Sequence, residues 1–408
     1  MTTASAWAHV ARAGAALAAG MGVGRFVYTP ILPLMQARAG LSAAAGAHLA
    51  TANYAGYLLG ALAGTLAPAL VRSRAVLRGS LLLLTASLAA MPLTRSTVLW
   101  ALLRLLAGAA SALVFVVAAA ALLHHLREHP AHLPGWSFGG VGAGIALSGL
   151  LVPALRPVAD WRAAWWAAAA LAGVLTAVSW NLRPEDAPPA GPVPGRPATT
   201  RTHRWFGALF VSYFLEGVGY IVAGTFLVAA IDQASPGWVG SGAWVLVGLA
   251  AVPSAALWAR LGRRWSRPGL LLTALVVQAA GIALPAVTGS TAAALGSAVL
   301  FGATFLGVST LALATGAHLR FPRSVALLTA GYSVGQILGP LAVAPLLRQG
   351  YHQALLLAAA VVVAAAVAAA VLRIGFPHHL DPEHTQPPRR PQPAGATGPR
   401  GTRGQDAA

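Results

Sequence analysis

The sequence predicts an all-α integral membrane protein of about 12 transmembrane helices, arranged as two six-helix bundles in a 6+6 pseudo-repeat. Three observations predict it. First, 57% of the residues are hydrophobic and only 9% are charged, against about 25% charged in soluble domains. Second, apolar runs long enough to cross a hydrocarbon core of about 30 Å recur along the whole chain. Third, short matches between the two halves recur at offsets of 192 to 195 residues.

In the first half the spans fall at about 12–36, 46–70, 76–94, 97–123, 138–156 and 162–182. In the second half they fall at about 205–231, 240–261, 268–288, 290–317, 324–347 and 354–373. The clearest is Ala354–Leu372, which holds no polar residue. A cleaved leader is not expected at the N-terminus, because the first apolar run continues past Gly20 to Leu34. Arg183–Arg204 contains "RPEDAPPAGPVPGRPATTR", too rich in proline and polar residues for a helix or a core. The expected organisation is therefore an N-terminal bundle over 1–183, a cytoplasmic linker over 184–204, a C-terminal bundle over 205–375 and a disordered cytoplasmic tail over 376–408.

The charge pattern sets the expected orientation. All 27 basic residues are arginine. With both termini cytoplasmic, Arg38, Arg95, Arg156, Arg162 and Arg348 lie outside and Arg25 and Arg104 lie within the membrane, which leaves 20 of the 27 inside. That bias favours both termini inside and a cell inner (plasma) membrane location. It also accounts for the net charge of +18 without a nucleic-acid partner, since no basic face with interleaved aromatics is present. There is no cysteine, hence no disulfide or thiolate metal site. No cofactor is expected, and the chain is expected to act as a monomer in the lipid bilayer.

The repeat is carried by four matches in order. "GVGR" at Gly22–Arg25 matches "GVGY" at Gly217–Tyr220, and Gly108–Ala109 matches Gly302–Ala303. "HLR" at His125–Arg127 matches His318–Arg320, and "VPALR" at Val152–Arg156 matches "APLLR" at Ala344–Arg348. Two six-helix halves related by an axis along the membrane normal are a transporter architecture. On these features, with "GVGRFVYTPILPLM", "LATANYAGYLLGALAG" and "EGVGYIVAGTFL", the chain resembles the major facilitator superfamily (MFS), and within it the uncharacterised YbfB/YjiJ-type branch. The resemblance implies alternating access of two bundles around a central site, and it names no substrate. "RLLAGAA" at Arg104–Ala110 looks like the superfamily's RxxxG pattern, which in related antiporters is linked to proton coupling. The loop motif GxxxDxxGR is degraded: Pro68 stands for the aspartate in "GTLAPALVRSR", and Ala259 replaces the acid in "WARLGRR". "GGVGAGIALSG" at Gly139–Gly149 matches the antiporter glycine motif only in part, so direction is not specified.

Charges at a helix centre cost about 2.5–3.5 kcal/mol on insertion scales and mark interior sites. Arg25 is expected to bind an anionic or carbonyl-rich solute through its planar donor fork; the plainer role is a cation locked by neighbouring carbonyls. Glu216 lies one turn before Tyr220, the repeat mate of Arg25, so the acid and Arg25 approach from opposite walls if the halves face each other. It is the expected proton-coupling carboxylate, since burial disfavours its charge and a nearby cation favours it; a structural ion pair is the plainer alternative. Arg104 divides evenly between proton coupling and packing on carbonyls. One buried acid against two buried bases favours an anionic or amphipathic solute. Tyr28, Asn53, Tyr57, Tyr220 and Gln336 are further expected substrate contacts, with Tyr213 and Tyr332 as added candidates; for each an interhelical hydrogen bond is equally suitable. Asp232 reads as an exposed loop acid.

Gly140/Gly144 and Gly331/Gly335 predict close helix packing, and Pro30, Pro33, Pro153 and Pro345 predict kinks. "GWSFG" at Gly135–Gly139 fits the hydrolase GxSxG spacing but has no strand before it, so it is not read as a nucleophile elbow and no enzyme is expected. "HHLDPEH" at His378–His384 fits no metal-spacing template. The expected function is secondary active transport of a small organic solute with a proton as co-substrate. A proton-driven exporter of toxicants is the alternative, and a membrane receptor or scaffold the non-transport one.

Overall fold

The computed structural model describes residues 3–125, 133–155, 160–183, 200–235 and 237–377. Among them every regular element is helical. Helix α1 (Thr3–Leu17) runs through a π-turn at Ala18–Val23 and a non-helical break at 24–27 into α2 (Tyr28–Ala39). Next come α3 (Ala43–Leu66), a short α4 (Pro68–Val71), α5 (Arg74–Ala90), α6 (Thr97–His125), α7 (Leu133–Leu155) and α8 (Trp161–Ser179). The second half holds α9 (Thr200–Ala234), α10 (Val239–Leu261), α11 (Arg267–Val287), α12 (Thr291–His318), α13 (Ser324–Val343) and α14 (Tyr351–Arg373).

Among the described residues eleven spans are long and apolar enough to cross a membrane. The twelfth expected span is α3, long enough at 24 residues but diluted by His48, Thr51, Asn53, Tyr54 and Tyr57. Leucines and valines such as Leu82, Val98, Leu102, Leu150 and Val367 stand exposed on helix faces, where lipid rather than water suits them.

Three expectations on boundaries are corrected. The first span is not one helix over 12–36. Pro30 has no N–H for the Phe26 carbonyl and its ring crowds that carbonyl, so the ladder stops and resumes at Tyr28. The second span ends at Leu66 rather than at residue 70, because Pro68 starts a new short helix. Helix α9 begins at Thr200, inside the expected linker; residues 184–199 and the tail from 378, with the His378–His384 cluster, lie outside the described residues.

Residues Met1–Phe376 cluster as one unit. Among the described residues the three most extensive contacts between the halves are α2 against α9, α3 against α13, and α7 against α10. Exchanging each span for its repeat mate six spans away maps this set onto itself, as a pseudo-two-fold requires. Thr29 shows the axis locally: its hydroxyl donates to the carbonyl of Gly224, its own mate at offset 195, at 2.5 Å. The contact between α7 and α10 is backbone on backbone. A Cβ on Gly142 would lie 2.6 Å from the Gly248 carbonyl oxygen, so only glycine fits. The expected pairs Gly140/Gly144 and Gly331/Gly335 do pack closely, but within halves: the first against Gly14 and Gly22, the second against Phe210 and Phe214.

Candidate functional site

The break in the first span builds the site. The amide of Gly24 donates to the Ala19 carbonyl at 2.8 Å, a wide turn that opens the helix just before Arg25. Carbonyls freed in this region need donors, because lipid supplies none. Helix α6 supplies them from one face. Ser111 Oγ donates to Gly20 O at 2.7 Å. Seven residues earlier, Arg104 Nη1 donates to Gly24 O at 3.1 Å and Nη2 to Arg25 O at 3.0 Å. Asn53 Nδ2 donates to the carbonyl of Arg104 itself at 2.8 Å. The Arg104 guanidinium also lies over Tyr28 at 5.0 Å, and Tyr28 donates its hydroxyl to Gly46 O at 3.0 Å. Tyr28, Asn53 and Arg104 are thus engaged in holding the break.

Arg25 is 2% exposed and differently placed. Its guanidinium lies 4.3 Å from the Tyr57 ring centroid, 5.1 Å from that of Tyr54 and 5.3 Å from that of Phe26. Tyr220 and Tyr332 complete its electrostatic surroundings. Its Nε and Nη2 have no hydrogen-bond partner. Desolvated cation–π contacts return about 2 kcal/mol, whereas each buried donor left unmade costs about 1–3 kcal/mol, more when charged. The cage therefore leaves the guanidinium short of acceptors.

Glu216 is fully buried in the middle of α9. Its Oε1 accepts from Gln278 Nε2 at 3.3 Å, while Oε2 has no partner. Tyr332 adjoins it and also adjoins Tyr220. Arg25 and Glu216 do not form an ion pair; among the described residues tyrosines, not the acid, surround the arginine. Tyr220 and Tyr332 are neighbours of both Arg25 and Glu216, and their rings stack at 5.4 Å and 11°. Tyr213 extends the stack at 4.2 Å from Tyr332, and Phe305 lies 6.2 Å from Tyr220 on the other side. Gln336 is fully buried with neither amide atom hydrogen-bonded, one helical turn after Tyr332 on α13.

Sequence reasoning missed Tyr54, Phe26, Ser111 and Gln278. Gln278 had a signal, a lone amide within the apolar run "LLLTALVVQAAGIAL". Tyr54 joins the halves by a 2.7 Å hydroxyl contact with Thr225. Asp232 is not an exposed loop acid: it lies half-buried within α9. Ser137 of "GWSFG" is helical and its Oγ donates to Val10 O at 3.2 Å, so it is a packing serine.

A family model described as uncharacterised MFS-type transporter YbfB matches residues 17–370. Among solved structures, a point mutant of the nucleoside transporter NupG superposes with a TM-score of 0.69 at 12% identity, covering 89% of this chain and 99% of that one. No curated protein sequence gives a match.

Proposed function

The chain belongs to the family of uncharacterised MFS-type transporters typified by YbfB, and on that premise we propose that it is a secondary active transporter of a small organic anion, coupled to protons. The carrying observation is the Arg25 guanidinium, buried at the junction of the halves with two donor nitrogens unpartnered and no acid among the described residues paired to it. A carboxylate or phosphate oxygen supplies what the aromatic cage lacks, and guanidinium matches it bidentately. Glu216, buried with Gln278 and Tyr332 as its polar neighbours, is the proton carrier in this reading. Tyr220 and Tyr332 pass the arrival of negative charge at Arg25 on to the acid. Arg104 acts in this reading as a positioning residue that aims Arg25.

Alternating access follows as rocking of the half that ends with α8 against the half that begins with α9 at Thr200. The monomer sits in the inner membrane with both termini cytoplasmic. One end is held shut by Gln36 Nε2 donating to Tyr351 O–H at 2.5 Å and by the Thr29–Gly224 and Tyr54–Thr225 contacts. Transport requires these contacts to open. The buried Glu216 and the stacked rings also favour a second reading, proton-driven export of aromatic cations.

Uptake of labelled organic anions and cations into proteoliposomes under an imposed pH gradient separates the readings. Anion transport that follows the gradient and fails in Arg25→Ala, with part retained by Arg25→Lys, supports the first. Cation transport that survives Arg25→Ala selects the second. Anion movement indifferent to the gradient removes the coupling claim.

A further inference from the structure

A cavity lies at the interface of the halves, where α7 and α10 part. From Gly149 against Val245 to Gly135 against Ala256, these helices touch backbone to backbone. Beyond Ala256 they open into a groove of about 520 Å³. Its described walls are Trp136 on one side and Pro253, Ala256, Leu257 and Ala259 on the other, with Arg260 and Arg263 at its end. Pro253 removes one backbone donor within α10, which loosens the helix where the groove begins.

The groove is unusual in two respects. Trp136 and Leu257 remain 45% and 47% exposed although they face each other across a helix junction. Arg260 and Arg263 pair with no acid among the described residues, and the turn at 262–266 contains none. An apolar slot ending in two guanidinium groups that meet no acid among the described residues matches one kind of occupant, with hydrocarbon along the slot and negative charge at its end. Basic pockets between spanning helices recruit anionic headgroups for this reason, and guanidinium suits phosphate geometry.

We propose that the α7–α10 groove is a binding site for an anionic phospholipid, its acyl chain along Trp136 and Leu257 and its phosphate on Arg260 and Arg263. Because α7 belongs to one half and α10 to the other, a lipid seated there wedges the junction and favours the arrangement in which the groove is open. The solute site is not involved, so the proposal stands independently of what the protein carries.

The test uses the full chain, purified and delipidated in detergent, with phosphatidylglycerol and phosphatidylcholine as probes. Native mass spectrometry counts retained lipid, and tryptophan fluorescence follows thermal unfolding. Wild type is expected to retain phosphatidylglycerol over phosphatidylcholine and to melt higher in its presence. Arg260→Gln with Arg263→Gln is expected to lower that preference about 30-fold, from the attraction of two basic side chains for an anionic surface. Arg264→Gln with Arg267→Gln, close in sequence but not lining the groove, is expected to leave it unchanged. Ala259→Trp, which fills the slot with both arginines kept, is expected to displace the lipid; this variant carries the test if the double glutamine protein does not fold. Equal loss from the two double variants would mean diffuse surface charge and would overturn the proposal. So would equal protection by glycerol phosphate, which has the charge without the chain, or retention of lipid by the filled groove.

Discussion

Replacing Arg104 by methionine removes the fork but keeps an unbranched apolar side chain of similar reach. Two hydrogen bonds disappear, 3.1 Å to Gly24 O and 3.0 Å to Arg25 O. Hydrogen bonds from a charged donor contribute about 1.5–3 kcal/mol each, so about 3–6 kcal/mol is lost. Stacking of the guanidinium over Tyr28 and Trp165, at 5.0 and 6.0 Å, adds about 1–2 kcal/mol. Against this, a cation no longer has to be buried in the membrane, which returns about 2.5–3.5 kcal/mol. The balance is a net destabilisation of about 1–5 kcal/mol. Lysine keeps the charge but cannot span two carbonyls with a rigid fork, so Arg104→Lys should fall between wild type and methionine. Unfolding in mixed micelles, followed by the fluorescence of the 12 tryptophans, measures all three. Trp165, beside Arg104, reports locally. Solute binding should weaken in both variants, since the break that aims Arg25 loses its clamp. A methionine variant as stable as wild type, or more stable than the lysine variant, would refute the assignment of Arg104 to the carbonyls. Normal solute affinity in a destabilised variant would reject the positioning role and leave only a structural one.

Other outcomes follow from the same geometry. Glu216→Gln keeps the shape and the Gln278 contact, so stability should change little while transport loses its response to an imposed pH gradient; unchanged coupling would assign the proton elsewhere. Gly22→Ala places a Cβ 2.8 Å from the carbonyl carbon of Gly144 and the carbonyl oxygen of Val141, backbone that cannot yield. It should cost about 1–3 kcal/mol in unfolding measurements. Gly79→Ala meets nothing within 4 Å and should stabilise α5 by roughly 0.5–1 kcal/mol. Because the chain has no native cysteine, Gln36→Cys with Tyr351→Cys can be bridged by a thiol-reactive crosslinker. Bridging should stop proteoliposome transport, and full activity of the bridged protein would show that this end need not open.

Hydropathy and arginine spacing sufficed for the spans, because lipid admits only helices with every backbone group satisfied within the segment. The internal repeat pointed to two six-helix halves about an axis along the membrane normal, but not to which helices meet across it. Arg25, Arg104 and Glu216 stood out for the same reason, as charges that hydrocarbon does not tolerate without a use. Their division of labour was not legible. Arg25 and Arg104 are the same residue type in comparable apolar runs, yet one clamps carbonyls and the other is left with free donors. That difference depends on where a proline-broken strand of backbone exposes its oxygens relative to a neighbouring helix. Likewise the sequence placed Arg25 and Glu216 on facing walls but could not say that tyrosines fill the space between them. Composition and period determine which segments enter the membrane and which charges are costly there. Only packing in three dimensions decides which carbonyls, rings and amides each charge meets, because those partners come from helices dozens to hundreds of residues away.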